Sequence, residues 1–204
     1  MIVIALDIAK TVTGWAIGDG DLWQFGILKC PVRAPPGLDT NDIDASYSGA
    51  VADWFRTELL RLLSRHRIER GAIEKPLPGN ISQKRIIRAR SEFWGESVVK
   101  AEVGGTAYAT THLLHGLAIE GASLLHRRGI PAEFVPVQTW RKTVGILRPP
   151  KSETNNRRWY KQEAIRQCRL RGIEVEQPDA AEAVCLGIHF QATLGWKGKV
   201  GQLI

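Results

Sequence analysis

The start of the chain alternates short apolar runs with polar breaks, a pattern typical of β-strands. Residues 2–6 (IVIAL) form a continuous apolar run, as expected for a strand buried on both faces of a sheet. Two further runs, 13–18 (TGWAIG) and 22–28 (LWQFGIL), follow at hairpin spacing. Glycine and aspartate at 18–21 favour a tight turn between them. The pattern predicts a three-stranded meander.

Beyond a polar, proline-containing loop at 31–48, apolar residues recur with helical spacing. The first predicted helix carries them at Val51, Phe55, Leu59, Leu62 and Leu63. Further helices are predicted at 112–129, 159–172 and 179–195, strands at 70–75 and 131–137, and a polar, basic connection at 139–158. The predicted order of elements is therefore β-β-β-α-β-α-β-α-α.

One segment, at about 76–111, fits neither pattern. It contains proline, glycine and a mainly basic stretch, KRIIRARSEFWGESVVK, with no clear strand. We interpret this segment as an inserted arm. The length of 204 residues suits one domain, so we expect a single domain, 1–204, that carries the arm.

Composition indicates a folded protein with a polyanionic partner. Hydrophobic residues make up 44% of the chain, and 28 lysines and arginines against 21 acids give a net charge of +7. Cys30, Cys168 and Cys185 are too widely spaced for a disulfide framework or a zinc motif. Asp7 breaks the first apolar run, which is too short for a signal peptide or a membrane span. We therefore expect a cytoplasmic protein with no membrane partner.

Four carboxylates lie at positions that suggest a functional role. Asp7 interrupts a buried strand and Glu74 closes another, and a buried ionised carboxylate is costly unless it is paired or binds a metal. Asp179 and Glu182 are three residues apart at a helix start, so they lie on one face and could share a cation. Each acid has an ordinary alternative role: backbone hydrogen bonding for Asp7, an arginine partner for Glu74, helix capping for Asp179 and solvent exposure for Glu182.

The whole chain, including its predicted order of strands and helices, resembles the RuvC-like Holliday junction resolvases of the ribonuclease H-like superfamily, particularly the shortened, divergent forms of bacteriophages. The resemblance rests on ALDIAKTVTGWAI at the first strand, GAIEKP at the end of the fourth and PDAAEAVCLGI at the start of the last helix. It implies an α/β fold with a ribonuclease H-like, mixed five-stranded sheet flanked by helices. It also implies that Asp7, Glu74, Asp179 and Glu182 are catalytic metal ligands.

The activity implied by the resemblance is that of a crossover junction endodeoxyribonuclease, which cuts branched DNA, above all four-way junctions, by symmetric phosphodiester hydrolysis. Two Mg²⁺ or Mn²⁺ ions per active site suit both the reaction and a set of carboxylate ligands. In this hypothesis Asp7 bridges both ions, and Glu74 and Asp179 each hold one. Glu182 completes a coordination shell or orients the water. The protein would act in the cytoplasm of a bacterium or of a phage-infected host cell.

A basic segment precedes the last acidic pair. Ten basic residues against two acids lie between Arg141 and Arg171, a density that predicts phosphate contacts and salt-dependent DNA binding. The family places a supporting lysine in this region; Lys161 is the catalytic candidate, and Lys142 and Lys151 stay open as alternatives. The residues predicted to bind DNA are Lys84, Arg85, Arg88, Phe93 and Trp94 in the arm and Arg141, Lys142, Lys151, Arg157 and Arg158 in the basic segment.

The chain departs from the family pattern in two places. Its last acid, Glu182, stands where many relatives have aspartate, and the arm after Glu74 is longer than in the bacterial resolvases. The family's junction-probing loop lies in that region, so the substrate stays open between four-way junctions and other flap or branched DNA. Phe93 and Trp94 are candidates for a wedge in a junction, whereas Trp140 is expected to pack in the core.

Symmetric cutting of two strands requires a twofold assembly, so we expect a homodimer, with the apolar helix face of residues 112–128 as its interface. Two other classes of function compete with a nuclease. A noncatalytic junction-binding protein is disfavoured because an acidic cluster without metal would repel DNA. An actin-like ATPase is suggested by DIAKTVTG, but the chain lacks the length and the glycine-rich nucleotide loop of that class.

Overall fold

The computed structural model describes residues 1–37, 44–77, 83–91, 95–103 and 108–200, with the backbone alone at 83–91, 95–103, 108 and 196–200. Within these ranges no helix is both long and apolar enough to cross a membrane. The described elements are, in chain order, β1 (Val3–Asp7), β2 (Val12–Asp19), β3 (Leu22–Lys29), α1 (Ala45–Arg65), β4 (Arg70–Glu74), β5 (Gln83–Ser91), β6 (Gly95–Val103), α2 (Tyr108–Arg127), β7 (Ala132–Val135), α3 (Val137–Val144), α4 (Asn156–Arg169) and α5 (Pro178–Val200).

The main sheet has five strands in the order β3-β2-β1-β4-β7. β1 to β3 form the predicted meander, in which neighbouring strands are antiparallel. β4 lies parallel to β1, and β7 lies parallel to β4. Four consecutive residues of β1, Val3–Leu6, are fully buried, as expected for a central strand covered on both faces. The predicted mixed five-stranded sheet flanked by helices is confirmed.

Alternate residues of β1 pack into two separate cores. Val3 and Ala5 contact the core that contains α3, α4 and α5. Ile4 and Leu6 contact the core that contains α1 and α2. Because successive side chains of a strand point to opposite faces, Asp7 falls on the same face as Val3 and Ala5. The carboxylate of Asp7 is therefore directed to the side of the sheet that α5 covers.

Two segments that the sequence predicts to lack strands or helices contain them. The arm predicted at 76–111 without a strand contains β5 and β6, which pair as an antiparallel two-stranded sheet, and α2 begins inside the same range, at Tyr108. The connection predicted at 139–158 begins with helix α3, which buries Trp140 and Val144. α3 ends at Gly145, whose φ of 87° lies in the left-handed region that favours glycine.

The apolar stripe of α2 is buried within the chain itself. It packs against α1 and the sheet through Leu113, Leu117, Leu124 and Leu125. A Cβ placed on Gly121 would lie 3.5 Å from Ile73 and 3.6 Å from Phe55, so helix and sheet are in contact there. The prediction that this apolar face forms a homodimer interface is therefore wrong, because the stripe is already covered.

α4 packs closely on α5. Cys168 and Cys185, one from each helix, are buried free thiols whose Sγ atoms lie 3.8 Å apart. The Sγ of Cys168 also donates to the main-chain oxygen of Ala181, in the second turn of α5. Side chains of α4 therefore lie close to the start of α5, where the predicted acids Asp179 and Glu182 are found.

Candidate metal centre

The end of β1 meets the start of α5 at a close backbone approach. Asp7, the last residue of β1, is opposite Gly14 in the antiparallel pairing with β2. A Cβ placed on Gly14 would lie only 2.0 Å from the main-chain oxygen of Asp179, in the first turn of α5. Glycine is required here because any side chain would collide with that backbone. The Thr13-Gly14 pair thus lets α5 approach the sheet beside Asp7.

Three of the predicted carboxylates converge at this point. Asp7, Asp179 and Glu182 each offer an oxygen, and these oxygens all lie within 4.8 Å of one another. The two acids of α5 share a helix face because they are three residues apart. The longer side chain of Glu182, where the family pattern often has aspartate, reaches the same cluster. We call these three residues the acidic cluster.

Glu74 reaches the same neighbourhood from β4. β1 and β4 are parallel neighbours with Leu6 opposite Ile73, so their carboxyl ends meet at one edge of the sheet. Trp140 Nε1 donates a hydrogen bond of 2.8 Å to Glu74 Oε2. The charge of Glu74 raises the pKa of Asp7, which places the two carboxylates within electrostatic range. The structure thus brings all four sequence-predicted acids into one region, with Glu74 beside the acidic cluster.

Two cationic side chains neutralise part of this negative charge. Lys161 Nζ donates to Asp179 Oδ1 at 2.6 Å. Arg141 Nη2 donates to Glu182 Oε1 at 2.9 Å, and the Glu182 side chain is only 8% exposed. The guanidinium carbon of Arg141 also lies 4.1 Å from the centre of the Tyr160 ring. Ion pairs in such partly buried surroundings are weakly screened by salt.

Burial and mutual repulsion raise the pKa of three of the acids. Burial raises the pKa of Asp7 well above its usual range, and the charges of Glu74, Glu182 and Asp179 raise it further. Burial, and then the charge of Glu182, raises the pKa of Glu74 to about 7. Burial also raises the pKa of Glu182, although Arg141 opposes that rise. The region is therefore short of positive charge even with two cationic neighbours.

The donor atoms of the acidic cluster fit a hard divalent cation. All three are carboxylate oxygens, which suit Mg²⁺ or Mn²⁺ better than the softer metals that cysteine and histidine favour. A divalent cation would also offset the mutual repulsion of these carboxylates. Asp7, Asp179 and Glu182 could hold such an ion, with Glu74 as a further carboxylate at its side.

The basic segment contains two inner residues, Arg141 and Lys161, which bond to acids of the cluster, and outer residues that are exposed, such as Arg157 and Arg158. Four of its ten basic residues bond to groups within the protein: Arg141 to Glu182, Lys161 to Asp179, Arg166 to Glu163 and Arg171 to the main-chain oxygen of Val144. Arg141, predicted to bind DNA, therefore lies against the acidic cluster instead of at an open surface. Of the three candidate lysines, Lys161 contacts an acid of the cluster, whereas Lys142 and Lys151 are exposed.

Arg157 and Arg158, two of the predicted DNA-binding residues, share a cavity with Lys161, the lysine that bonds to Asp179. Both are exposed in the first turn of α4, and with Lys161 and Pro178 they line an open cavity of about 410 Å³. Of the predictions in the arm, Phe93 and Trp94 lie outside the described residues. Those on β5, Lys84, Arg85 and Arg88, are described only by their backbone.

The fold is similar to that of solved RuvC structures. RuvC of T. thermophilus in complex with a Holliday junction substrate matches with a TM-score of 0.56 and 12% identity, over 96% of this chain and 96% of that one. A second structure of Thermus thermophilus RuvC matches with a TM-score of 0.51 and 15% identity, over 96% and 97% of the two chains. The chain has the RuvC fold. No protein-family model and no curated protein matches the sequence.

The RuvC fold agrees with the resemblance drawn from the sequence. The sequence alone does not indicate that two further residues of the site, Trp140 and Arg141, bond to its acids. Trp140 was expected in the core; it is fully buried, yet its indole also donates to Glu74. Arg141 holds Glu182. Their partners are 66 and 41 residues away in the chain. A local sequence pattern therefore could not pair Trp140 and Arg141 with these acids. The signal that the sequence offers is the WR dipeptide itself, a tryptophan followed by an arginine in the basic segment.

Proposed function

We propose that this protein is a metal-dependent endonuclease that cleaves branched DNA, with four-way junctions as its preferred substrate. The observation that carries the proposal is the convergence of Asp7, Asp179 and Glu182, with Glu74 beside them, at one edge of a RuvC fold. A buried group of like charges is costly to fold. A bound divalent cation, together with the phosphate of a DNA substrate, would offset this cost.

The four carboxylates are the proposed ligands of two divalent ions, Mg²⁺ or Mn²⁺. Such a pair of ions supplies an activated water and stabilises the departing 3′ oxygen in phosphodiester hydrolysis. The charges of Glu74, Glu182 and Asp179 all act on Asp7, which supports Asp7 as the proposed shared ligand. Lys161, which now holds Asp179, is the proposed cationic support for the scissile phosphate.

DNA would reach the acidic cluster across the exposed basic residues of α4. Arg157 and Arg158 line the cavity that also contains Lys161, so a strand bound there would lie next to Asp179. Lys142 and Lys151, which are exposed, are proposed as further contacts to DNA phosphates. The proposed role of the arm that contains β5 and β6 is to contact the branch point through Lys84, Arg85, Arg88, Phe93 and Trp94.

We further propose that the protein acts as a homodimer in the cytoplasm of a bacterium or of a phage-infected cell. Two symmetric cuts at a four-way junction require two active sites related by a twofold axis. The buried stripe of α2 cannot provide the interface, so a dimer would use another surface. Sedimentation of the protein with and without junction DNA would measure the assembly directly.

The proposed function is tested by incubating the protein with four-way, three-way, flap and linear DNA, each with and without Mg²⁺ or Mn²⁺. We expect paired, metal-dependent cuts in the four-way junction and none with the folded Asp7→Asn variant. Faster cleavage of flaps or three-way DNA would reassign the protein to a broader debranching activity. Metal-dependent cleavage that survives in Asp7→Asn would refute the site.

A further inference from the structure

Helix α3 contacts two acids of the site that come from different parts of the fold. Trp140 Nε1 donates to Oε2 of Glu74, at the end of β4, with a length of 2.8 Å. The next residue, Arg141, donates from Nη2 to Oε1 of Glu182, on α5, with a length of 2.9 Å. Two consecutive residues of one short helix thus each hold a single oxygen of a different carboxylate.

Both donors are fixed by their surroundings. Trp140 is fully buried, so its indole has no freedom to turn away. The guanidinium carbon of Arg141 lies 4.1 Å from the centre of the Tyr160 ring and 5.2 Å from that of Trp140. Among the described residues, its Nε has no hydrogen-bond partner although it is buried. Packing therefore holds the side chain of Arg141 in place even at the expense of one unmet donor.

The acids need such support because they repel one another. The charge of Glu182 acts on both Asp7 and Glu74. This repulsion favours side-chain conformations in which the carboxylates point away from one another. A hydrogen bond to one oxygen opposes these conformations, and it leaves the second oxygen of the same carboxylate available as a ligand.

We propose that Trp140 and Arg141 are positioning residues of the metal centre, which hold Glu74 and Glu182 in a conformation that is ready to bind divalent ions. The inference rests on the proposed function, since it presumes that these carboxylates bind metal. Neither residue needs to touch DNA or the reacting atoms. Their effect passes through the two carboxylates, and its primary consequence is tight metal binding.

The test measures Mn²⁺ binding to the full-length protein by calorimetry. Trp140→Phe keeps an aromatic ring but removes the indole N–H that donates to Glu74. Arg141→Lys keeps the positive charge but removes the planar guanidinium that lies on the Tyr160 ring. Each variant should bind Mn²⁺ about 10-fold to 100-fold more weakly than the native protein, as is typical when a support of a metal ligand is lost. Thermal unfolding without metal will show whether each variant is folded.

Matched controls are available elsewhere in the chain. Trp23→Phe removes an indole hydrogen bond of 2.9 Å to the main-chain oxygen of Gly20, and Arg56→Lys alters an ion pair of 2.7 Å with Glu120 on α2. Neither contact involves the acids of the site. Both control variants should bind Mn²⁺ with native affinity, so a general effect of losing a tryptophan or an arginine contact would be recognised.

A second readout separates positioning from general damage. In cleavage assays the kcat of Trp140→Phe and Arg141→Lys should fall at low Mn²⁺ and recover at high Mn²⁺, while the KM for junction DNA stays unchanged. Native Mn²⁺ affinity in either folded variant would refute the role of that residue. If Trp140→Phe does not fold, the Mn²⁺ affinity of Arg141→Lys alone decides whether α3 positions the acids.

The Asp7→Asn variant distinguishes a failure of the positioning role from a failure of the metal centre. Loss of Mn²⁺ binding in Asp7→Asn, with native binding in both α3 variants, would refute the positioning role and leave the metal centre standing. Native Mn²⁺ binding in folded Asp7→Asn would instead refute the metal centre on which the positioning role depends.

Discussion

Replacing Gly14 with alanine should move the acids of α5 away from Asp7. The new Cβ would lie 2.0 Å from the main-chain oxygen of Asp179, 2.5 Å from its carbonyl carbon and 3.1 Å from the nitrogen of Ala180. All three are backbone atoms, so a change of rotamer cannot relieve the collision. To reach ordinary contact, the start of α5 and β2 must separate by about 1.4 Å.

A displacement of this size predicts a large loss of activity with a moderate loss of stability. Misplacing catalytic groups by roughly 1 Å can reduce a rate by about 100-fold, so we expect at least that decrease in junction cleavage. Overpacking of a close contact costs about 1–3 kcal/mol of unfolding free energy, which the fold should tolerate. Mn²⁺ affinity should also fall, because Asp179 and Glu182 would retreat from Asp7.

The assay is single-turnover cleavage of a four-way junction in Mg²⁺, together with urea unfolding of the same preparation. Gly116→Ala is the control, because a Cβ at this position within α2 would meet nothing within 4 Å. That variant should cleave normally and gain up to about 1 kcal/mol of stability from the better helix former. Native cleavage and stability in Gly14→Ala would refute the close approach of α5 and β2.

Two further predictions concern charge. The pKa of Glu74 is raised from 4.5 to about 7, so the folded protein retains a proton there that the unfolded chain has released. The unfolding free energy of the metal-free protein should therefore fall by up to about 3 kcal/mol as the pH rises from about 5 to about 7. Urea titrations should show a smaller fall over this pH range in Glu74→Gln. The same dependence of unfolding free energy on pH in both proteins would contradict the raised pKa. For DNA binding, the double variant Arg157→Ala/Arg158→Ala should reduce the log–log salt dependence of junction affinity by up to about 1.8, at about 0.9 for each phosphate contact. Arg169→Ala, an exposed arginine in the last turn of the same helix, should leave the dependence unchanged, and an equal effect there would argue against a specific site.

The parts of the site that follow from local pattern could be predicted from the sequence. Asp7 is conspicuous because it ends a run of apolar residues, and the alternation of a strand then determines which face it occupies. The three-residue spacing of Asp179 and Glu182 places both on one helix face. The order of the strands required the family resemblance, because periodicity identifies strands but does not pair them.

The remainder depends on contacts between distant residues or on weak local patterns. β5 (QKRIIRARS) shows no alternation of apolar and polar residues, so its sequence does not indicate a strand. β6 does contain an alternating signal, at Val99, Ala101 and Val103, which could have predicted a strand but stood in a largely polar context. The bonds from Trp140 and Arg141 to their acids depend on how α3 packs on α5, which no window of sequence encodes.

In the proposed function, the division of the basic segment into inner and outer residues would let an acidic site work on a polyanion. The inner cations, Arg141 and Lys161, lie on the acids themselves, so they offset repulsion within the site and contribute little to the field that DNA meets from a distance. Attraction of DNA in the proposed function must then come from outer residues such as Arg157 and Arg158. The two groups should consequently separate in kinetics. Loss of an outer arginine should weaken DNA binding and leave kcat nearly intact, whereas a change at Arg141 should reduce kcat through the metal ligands while the KM for DNA is kept.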